Sequence, residues 1–144
     1  MRFVPIYEGQ ETLAKICATK CDCPPFAEPN SSIGIWDSEE KTLVGVVTYS
    51  CYTVREIWAS IWLDDKRALT RPVLRELFTY PFVTCEVVRL TTNARLGNEK
   101  SVKLTERLGF TKEGKVRRFF GDEDEDAAII FGMLKEECRW IRHG

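Results

Sequence analysis

The chain has very little histidine: one residue among 144, His143, next to the end. Hydrolytic centres of the Ser-His-Asp and Cys-His types need a histidine held beside the nucleophile. The position of His143 makes either arrangement implausible. We therefore expect any catalysis by this chain to use neither kind of nucleophile.

Long apolar runs and an excess of charge of one sign are also absent. No apolar run approaches the roughly 20 residues that span a bilayer, and the start, Met1-Arg-Phe-Val-Pro5, has no signal-peptide pattern. The chain contains 21 Lys and Arg residues and 22 Asp and Glu residues, which gives a net charge of −1. Nucleic-acid binders are normally clearly basic. We expect a cytoplasmic protein that binds neither membrane nor nucleic acid.

Length and composition indicate one globular domain. A chain of 144 residues can bury a sizeable core, and it has no room for two domains of ordinary size. Its 44% hydrophobic and 30% charged residues are ordinary for a globular protein. The sequence predicts a single domain over residues 1–144.

Six cysteines require an explanation. Cys51, Cys85 and Cys138 lie in apolar or strand-like runs and are expected to be small core residues. The cluster from Cys17 to Cys23, C-x-x-x-C-x-C, does not have the spacing of a zinc pair, and no histidine lies nearby. We expect no metal site.

The hydrophobic pattern predicts strands first and then alternating helices and strands. Helices are expected at 11–19 and 71–79 and from Asn98 onwards, and strands at 33–37, 43–53, 54–63, 86–92, 116–120 and 127–134. This order is typical of a mixed α/β sheet with helices on both faces.

The segment from Asn98 to Phe110 is the most informative. Asn98 can cap a helix, and Gly109 can end it in a left-handed conformation. Ser101 lies close to one turn beyond Asn98, so both polar side chains can face one ligand. From the residues alone, the segment reads equally as an ordinary surface helix with good caps.

The motif N-x-x-S-x-x-L-x-x-x-L-G-F, followed by E-G, resembles the late helix of the GNAT superfamily of acyl-CoA N-acyltransferases, especially its branch acting on protein amino groups. The resemblance extends from about Ser32 to Trp140. The ending from Gly132 to Trp140 also resembles small GNAT-like proteins of phage and prophage genomes. The resemblance implies a mostly antiparallel sheet whose central strands, 54–63 and 86–92, splay apart around the cofactor.

The function implied by the resemblance is transfer of an acetyl group from acetyl-CoA directly to an amine, with a protein amino group favoured over a small molecule. The implied cofactor-binding residues lie on the fourth strand, in the loop after it and on the late helix: Trp62, Leu63, Arg67, Ala68, Leu69, Thr70, Arg71, Asn98 and Ser101. A helix start suits phosphates because its N–H groups and dipole favour anions.

The phosphate loop departs from the usual GNAT signature, Q/R-x-x-G-x-G/A. This chain has Arg67-Ala-Leu-Thr-Arg-Pro72, and proline supplies no N–H group. Two outcomes are open: a looser grip that uses Thr70 and arginine side chains, or loss of cofactor binding. The loop therefore keeps an alternative function open, a non-catalytic GNAT-fold module that binds CoA or a protein.

Glu56 and Ser101 are the candidate catalytic residues. Glu56 occupies the position from which many GNAT enzymes direct a glutamate base towards the amine, and aromatic neighbours on its strand face could desolvate it. For the group that protonates the thiolate, Ser101, Tyr49, Tyr52 and a water stay open, since many relatives have a tyrosine where this chain has Thr105. The acidic run 122–126 is either a solvated turn or a device that steers cationic substrates.

Overall fold

The computed structural model describes residues 1–142; His143 lies outside the described residues. Within them the chain forms seven strands and three α-helices: β1 (Phe3–Ile6), α1 (Gln10–Lys20), β2 (Ser31–Asp37), β3 (Thr42–Ser50), β4 (Glu56–Leu63), α2 (Arg71–Thr79), β5 (Arg89–Arg95), α3 (Glu99–Arg107), β6 (Thr111–Val116) and β7 (Ala128–Leu134). Short helical turns occupy Lys66–Ala68, Tyr80–Thr84, Asp124–Asp126 and Lys135–Glu137.

The strands form one seven-stranded sheet in the order β1-β2-β3-β4-β5-β7-β6. Only β4 and β5 run parallel; every other neighbouring pair is antiparallel. This arrangement confirms the predicted mixed, mostly antiparallel α/β sheet. The parallel pair is central, and each of its strands is followed by a helix.

Helices cover the two faces of the sheet unequally. On one face, Leu13 and Cys17 of α1 pack against Val46 of β3. On the other, α2 and α3 close the main core, in which the largest fully buried side chains include Tyr49 and Phe131. Burial of this continuous apolar set is the main favourable contribution to folding. Helices on both faces were predicted and are confirmed.

Four local predictions are wrong. The strand predicted at 86–92 lies at Arg89–Arg95, after a left-handed φ of 57° at Glu86. The strand β1 was not predicted, because it is short and contains Pro5, which belongs at a sheet edge. The segment 116–120 is not a strand: β6 ends at Val116, and Arg118 has a left-handed φ of 54°. Cys51 is exposed rather than buried because the chain turns away after β3, with a φ of 55° at this residue.

The part of the chain that the structure describes contains no helix that is both long and apolar enough to cross a membrane. Across the same residues, 1–142, His, Cys, Asp and Glu side chains form no group of three that could hold a metal ion.

Candidate active site

The centre of the sheet opens between β4 and β5. The two strands pair only over the first three residues of β4, as far as Trp58 opposite Thr91. One residue further along, the Ala59 carbonyl accepts a hydrogen bond at 2.7 Å from the side-chain hydroxyl of Thr92. Beyond this point the strands diverge. The predicted splay of the central strands is confirmed.

Backbone N–H groups of β4 face this gap. The Arg55 carbonyl accepts a hydrogen bond from Val88 N–H at 2.9 Å on the β5 side, whereas Asp64 N–H donates to β3 at 2.7 Å. Because backbone groups of successive strand residues alternate in direction, the N–H groups of Ile61 and Leu63 point towards the gap. An extended ligand that carries amide groups can pair there as an additional strand.

An apolar cavity lies beside the gap, on the face that α2 and α3 cover. Its lining comes from β4, β5 and both helices and includes Ala59, Ile61, Leu69, Leu74, Leu90 and Leu104. The cavity is small, about 30 Å³, and belongs to the packed core. The gap therefore offers amide donors along its β4 wall.

In the loop between β4 and α2, the carboxylate of Asp65 binds other groups of the same loop. Asp65 accepts a hydrogen bond from Arg67 N–H at 3.0 Å and forms an ion pair with the Arg67 guanidinium at 2.8 Å. The Arg67 side chain lowers the pKa of Asp65. In the same loop, Ala68 N–H donates to the Asp65 carbonyl and Leu69 N–H to the Lys66 carbonyl. The N–H groups of three predicted phosphate-binding residues are therefore engaged within the loop.

The start of α2 supplies the remaining donors of this loop. The Thr70 hydroxyl caps the helix by accepting from Val73 N–H, at a long 3.4 Å. Within residues 1–142, the N–H groups of Thr70 and Arg71 have no hydrogen-bond partner. The start of this nine-residue helix therefore presents two unpaired main-chain N–H donors. A threonine hydroxyl and an arginine lie beside them, so the surface is basic and its hydrogen-bond donors are not all satisfied.

A second helix begins at the same end of the gap, because α3 follows β5 as α2 follows β4. The Asn98 side chain caps α3 by accepting from Ser101 N–H at 3.2 Å, as predicted. The Asn98 amide nitrogen and the Ser101 hydroxyl have no partner in the described part of the chain. Gly109, with a φ of 107°, follows the end of α3. The predicted residues on α3 and in the α2 loop thus flank the wide end of the gap.

Glu56 begins the paired part of β4 at the narrow end, opposite Arg89, and its carboxylate reaches Thr91, the last paired residue of β5. Its Oε1 accepts hydrogen bonds from the Thr91 hydroxyl and from Arg89 Nε, the latter at 3.2 Å. Its Oε2 has no partner among residues 1–142. Trp62, on the same strand face, packs towards α1 and carries the Lys20 ammonium 5.2 Å above its ring.

The hydroxyl groups considered as acids differ in accessibility. Tyr49 is buried, its hydroxyl donates to the Leu77 carbonyl at 2.5 Å, and burial raises its pKa well above the usual value. The Thr105 hydroxyl donates to the Ser101 carbonyl. Tyr52 is 48% exposed. Geometry favours Ser101, Tyr52 or water over the two buried hydroxyls.

Comparison with known proteins agrees with this geometry. No family model matches the chain. A Bacillus subtilis (strain 168) protein named "Putative ribosomal N-acetyltransferase YdaF" is 32% identical over 108 residues, 74% of this chain and 46% of that protein. The chain therefore spans less than half the length of this curated relative.

Solved structures share this fold over most of the chain. Spermidine N-acetyltransferase from Vibrio cholerae, in complex with CoA and spermine, has a TM-score of 0.72 at 16% identity, over 94% of this chain and 97% of that one. The chain has the GNAT fold. A chimera of SpeG from Vibrio cholerae and hSSAT gives a TM-score of 0.70 at 16% identity, over 94% and 98%.

In this GNAT fold, sequence reasoning missed the polar cluster around Glu56. Arg89 of β5 and Glu113 of β6 form an ion pair beside it, and Thr91 completes the cluster. Glu113 was noted only as part of the E-G motif, which gave no indication of its partner. Both strands are largely polar, so the charges of Arg89 and Glu113 do not stand out in the sequence, and only the pairing of β5 with β7 and of β6 with β7 brings them together.

Proposed function

We propose that this chain is a GNAT-type N-acetyltransferase that moves an acetyl group from acetyl-CoA to an amine. The observation that carries the proposal is the gap between β4 and β5, with the N–H groups of Ile61 and Leu63 facing it and two helix N-termini at its wide end. This geometry suits a long, amide-bearing thioester with phosphates at one end. One domain over residues 1–144 is part of the proposal.

In the proposed complex, the acyl-CoA arm lies along Trp62 and Leu63 as an added strand. Phosphates rest at the N-terminus of α2, where the N–H groups of Thr70 and Arg71 are unsatisfied and the helix dipole favours negative charge. Arg67 exchanges its carboxylate partner for phosphate, and Ala68 and Leu69 shape the loop. Asn98 and Ser101 contact the arm from α3 through their amide and hydroxyl groups.

The proposed reaction is direct transfer. The neutral amine nitrogen attacks the thioester carbonyl carbon while its proton passes to Oε2 of Glu56, directly or through water. The carbonyl oxygen is stabilised by a β4 N–H donor. The carbon–sulfur bond then breaks, and the thiolate takes a proton from Ser101, Tyr52 or water. The products are an amide and CoA.

For the acceptor, we infer a protein amino group ahead of a small amine. The late-helix motif resembles the protein-directed branch, and the Bacillus subtilis relative is named for ribosomal acetylation. The Vibrio cholerae structures with the same fold are named for spermidine. Both acceptor classes therefore belong in the test. The phage-type relationship and cytoplasmic location stay predictions from the sequence.

A second candidate is a non-catalytic module with the GNAT fold. The observation that favours it is the loop closed by Asp65, whose carboxylate already holds the Arg67 N–H and guanidinium. A loop that satisfies its own donors binds phosphates only after it gives up those bonds.

Calorimetry and a CoA-release assay on the same preparation separate the two functions. The enzyme is expected to bind acetyl-CoA and to release CoA when lysine peptides, N-terminal peptides or polyamines are added. Glu56→Gln should keep acetyl-CoA binding and lose turnover. Binding without turnover on the whole panel would favour the module. Absence of binding to both acetyl-CoA and CoA would reject the enzyme and a CoA-binding module, and it would favour a module that binds a protein.

A further inference from the structure

Arg89 lies at the centre of the polar cluster at the narrow end of the gap. Its Nε contacts Glu56 Oε1 at 3.2 Å and Thr91 Oγ1 at 2.9 Å. Its two terminal nitrogens hold both carboxylate oxygens of Glu113, one of them at 3.1 Å. All three nitrogens of the guanidinium are thus engaged by protein groups, and the positive charge of Arg89 is shared between Glu56 and Glu113.

Two irregularities of the sheet allow Glu113 to reach Arg89. The pairing of β6 with β7 shifts register between Lys112 and Gly114, so that Glu113 lies in a bulge. A bulge redirects a side chain from its regular alternation. Between Glu113 and Arg89 lies Gly132 of β7, where an added Cβ would stand 2.4 Å from Glu113 Oε1 and 2.7 Å from an Arg89 terminal nitrogen. The ion pair therefore crosses β7 at the one residue without a side chain.

This arrangement fixes one oxygen of Glu56 and leaves the other available. Oε1 is held by Arg89 and Thr91, while Oε2 has no partner in residues 1–142. Thr91 is also the last β5 residue paired with β4, so the held oxygen lies where the gap begins. Arg89 lowers the pKa of Glu113 and so keeps that partner charged.

We propose that Arg89, supported by Glu113 across Gly132, is a positioning residue that fixes the Glu56 carboxylate at the start of the gap. The inference rests on the proposed function, in which Glu56 accepts the amine proton. Proton transfer needs its acceptor within hydrogen-bond reach of the amine, so freedom of this carboxylate slows the chemical step more than it weakens cofactor binding.

The first test compares two glycine variants. Gly132→Ala places a methyl group in the ion pair, whereas Gly114→Ala, in the same strand pair, meets no atom within 4 Å. We expect Gly132→Ala to lower kcat about tenfold or more and Gly114→Ala to leave it unchanged, with acetyl-CoA affinity similar in both. Equal kcat for the two variants, or a loss confined to acetyl-CoA affinity, overturns the proposal.

The second test asks whether Arg89 acts through Glu56. Arg89→Lys should lower kcat about tenfold in the wild-type background and cause no further loss in Glu56→Gln. Independent, additive losses would contradict positioning. Arg95→Lys is the matched control, because Arg95 lies on the same strand and pairs instead with Asp126 at the other end of β5.

A readout without turnover separates failure of this inference from failure of the proposed function. In protein labelled at the glutamate carboxyl carbons, the Glu56 resonance should move in Gly132→Ala and Glu113→Gln and stay in place in Gly114→Ala. If the wild-type protein acetylates nothing, the proposed function fails and this comparison still decides whether the cluster holds Glu56. An unmoved resonance in all three variants overturns the positioning role.

Discussion

The two ends of β4 carry arginine–carboxylate pairs of opposite character. At the wide end of the gap, Asp65 and Arg67 are two residues apart, and the Arg67 side chain is 68% exposed. At the narrow end, Arg89 joins Glu56 and Glu113 from three different strands, and its side chain is only 28% exposed. One pair is local and open to water. The other requires the folded sheet.

The difference separates an exchangeable contact from a fixed one. An exposed pair in water contributes little net free energy, so a phosphate can displace Asp65 from Arg67 at small cost. Arg89 is tied by several hydrogen bonds over a glycine, so its removal leaves Glu56, whose side chain is 30% exposed, without its charged partner. We therefore expect substitutions at the wide end to change cofactor affinity and those at the narrow end to change turnover.

The largest expected effect is at the narrow end. Glu56→Gln keeps the shape of the side chain and removes its capacity to accept a proton, so we expect kcat to fall by about 100-fold or more. Steady-state assays at saturating acetyl-CoA measure this, and calorimetry with acetyl-CoA provides the control. Turnover and a pH–rate profile identical to those of the wild type would remove Glu56 from the mechanism.

At the wide end, we expect Asp65→Asn to strengthen acetyl-CoA binding, whereas Glu56→Gln lowers turnover. The amide no longer neutralises Arg67, so we expect acetyl-CoA to bind about two- to fivefold more tightly at low salt, with the gain declining as salt increases. Titration calorimetry at two ionic strengths measures both effects. Weaker binding at both would show that Asp65 shapes the loop for the cofactor rather than competing with its phosphates.

Asn98 allows its capping role to be separated from a cofactor role. Aspartate caps a helix as well as asparagine does, whereas alanine loses the cap at a cost of about 1 kcal/mol in the free energy of unfolding. We expect Asn98→Asp to preserve stability and to weaken acetyl-CoA binding, because it lacks the amide donor. Urea unfolding and calorimetry on both variants test this. Unchanged affinity in Asn98→Asp would leave the residue with capping alone.

The smallest effect concerns a third pair, Arg2–Asp37, at the sheet edge away from the gap. The Arg2 guanidinium lowers the pKa of Asp37 from 3.8 to about 2. A lowered folded-state pKa means that this stabilisation is complete above pH 3.8 and is lost as the pH falls towards about 2. Between pH 5 and pH 2.5, the urea midpoint should therefore fall more for the wild type than for Asp37→Asn. Equal decreases of the urea midpoint in the two proteins would contradict the assignment of this pH dependence to Asp37.

The fold could largely be predicted from the sequence because its signals are local. Thr70 with Pro72, and Asn98 with Gly109, mark the helix boundaries that the structure shows. The cluster of Arg89, Glu113 and Gly132 could not be predicted in the same way. Its members lie far apart in sequence, and their contact depends on sheet order and on the position of a bulge. The Asp65 interaction is local, but a loop that lacks the usual glycines does not by itself indicate which side chain its N–H groups bind.

The bulge at Glu113 has a further consequence for the outer strand. All six residues of β6 are exposed, and its outer backbone edge is not covered by another strand in the described residues. A regular, bare edge of this kind invites pairing with strands of other molecules, and proteins counter this with lysines and local irregularity. Lys112 and Lys115 flank the bulge. The distortion that turns Glu113 inward thereby also protects the molecule from edge-to-edge aggregation.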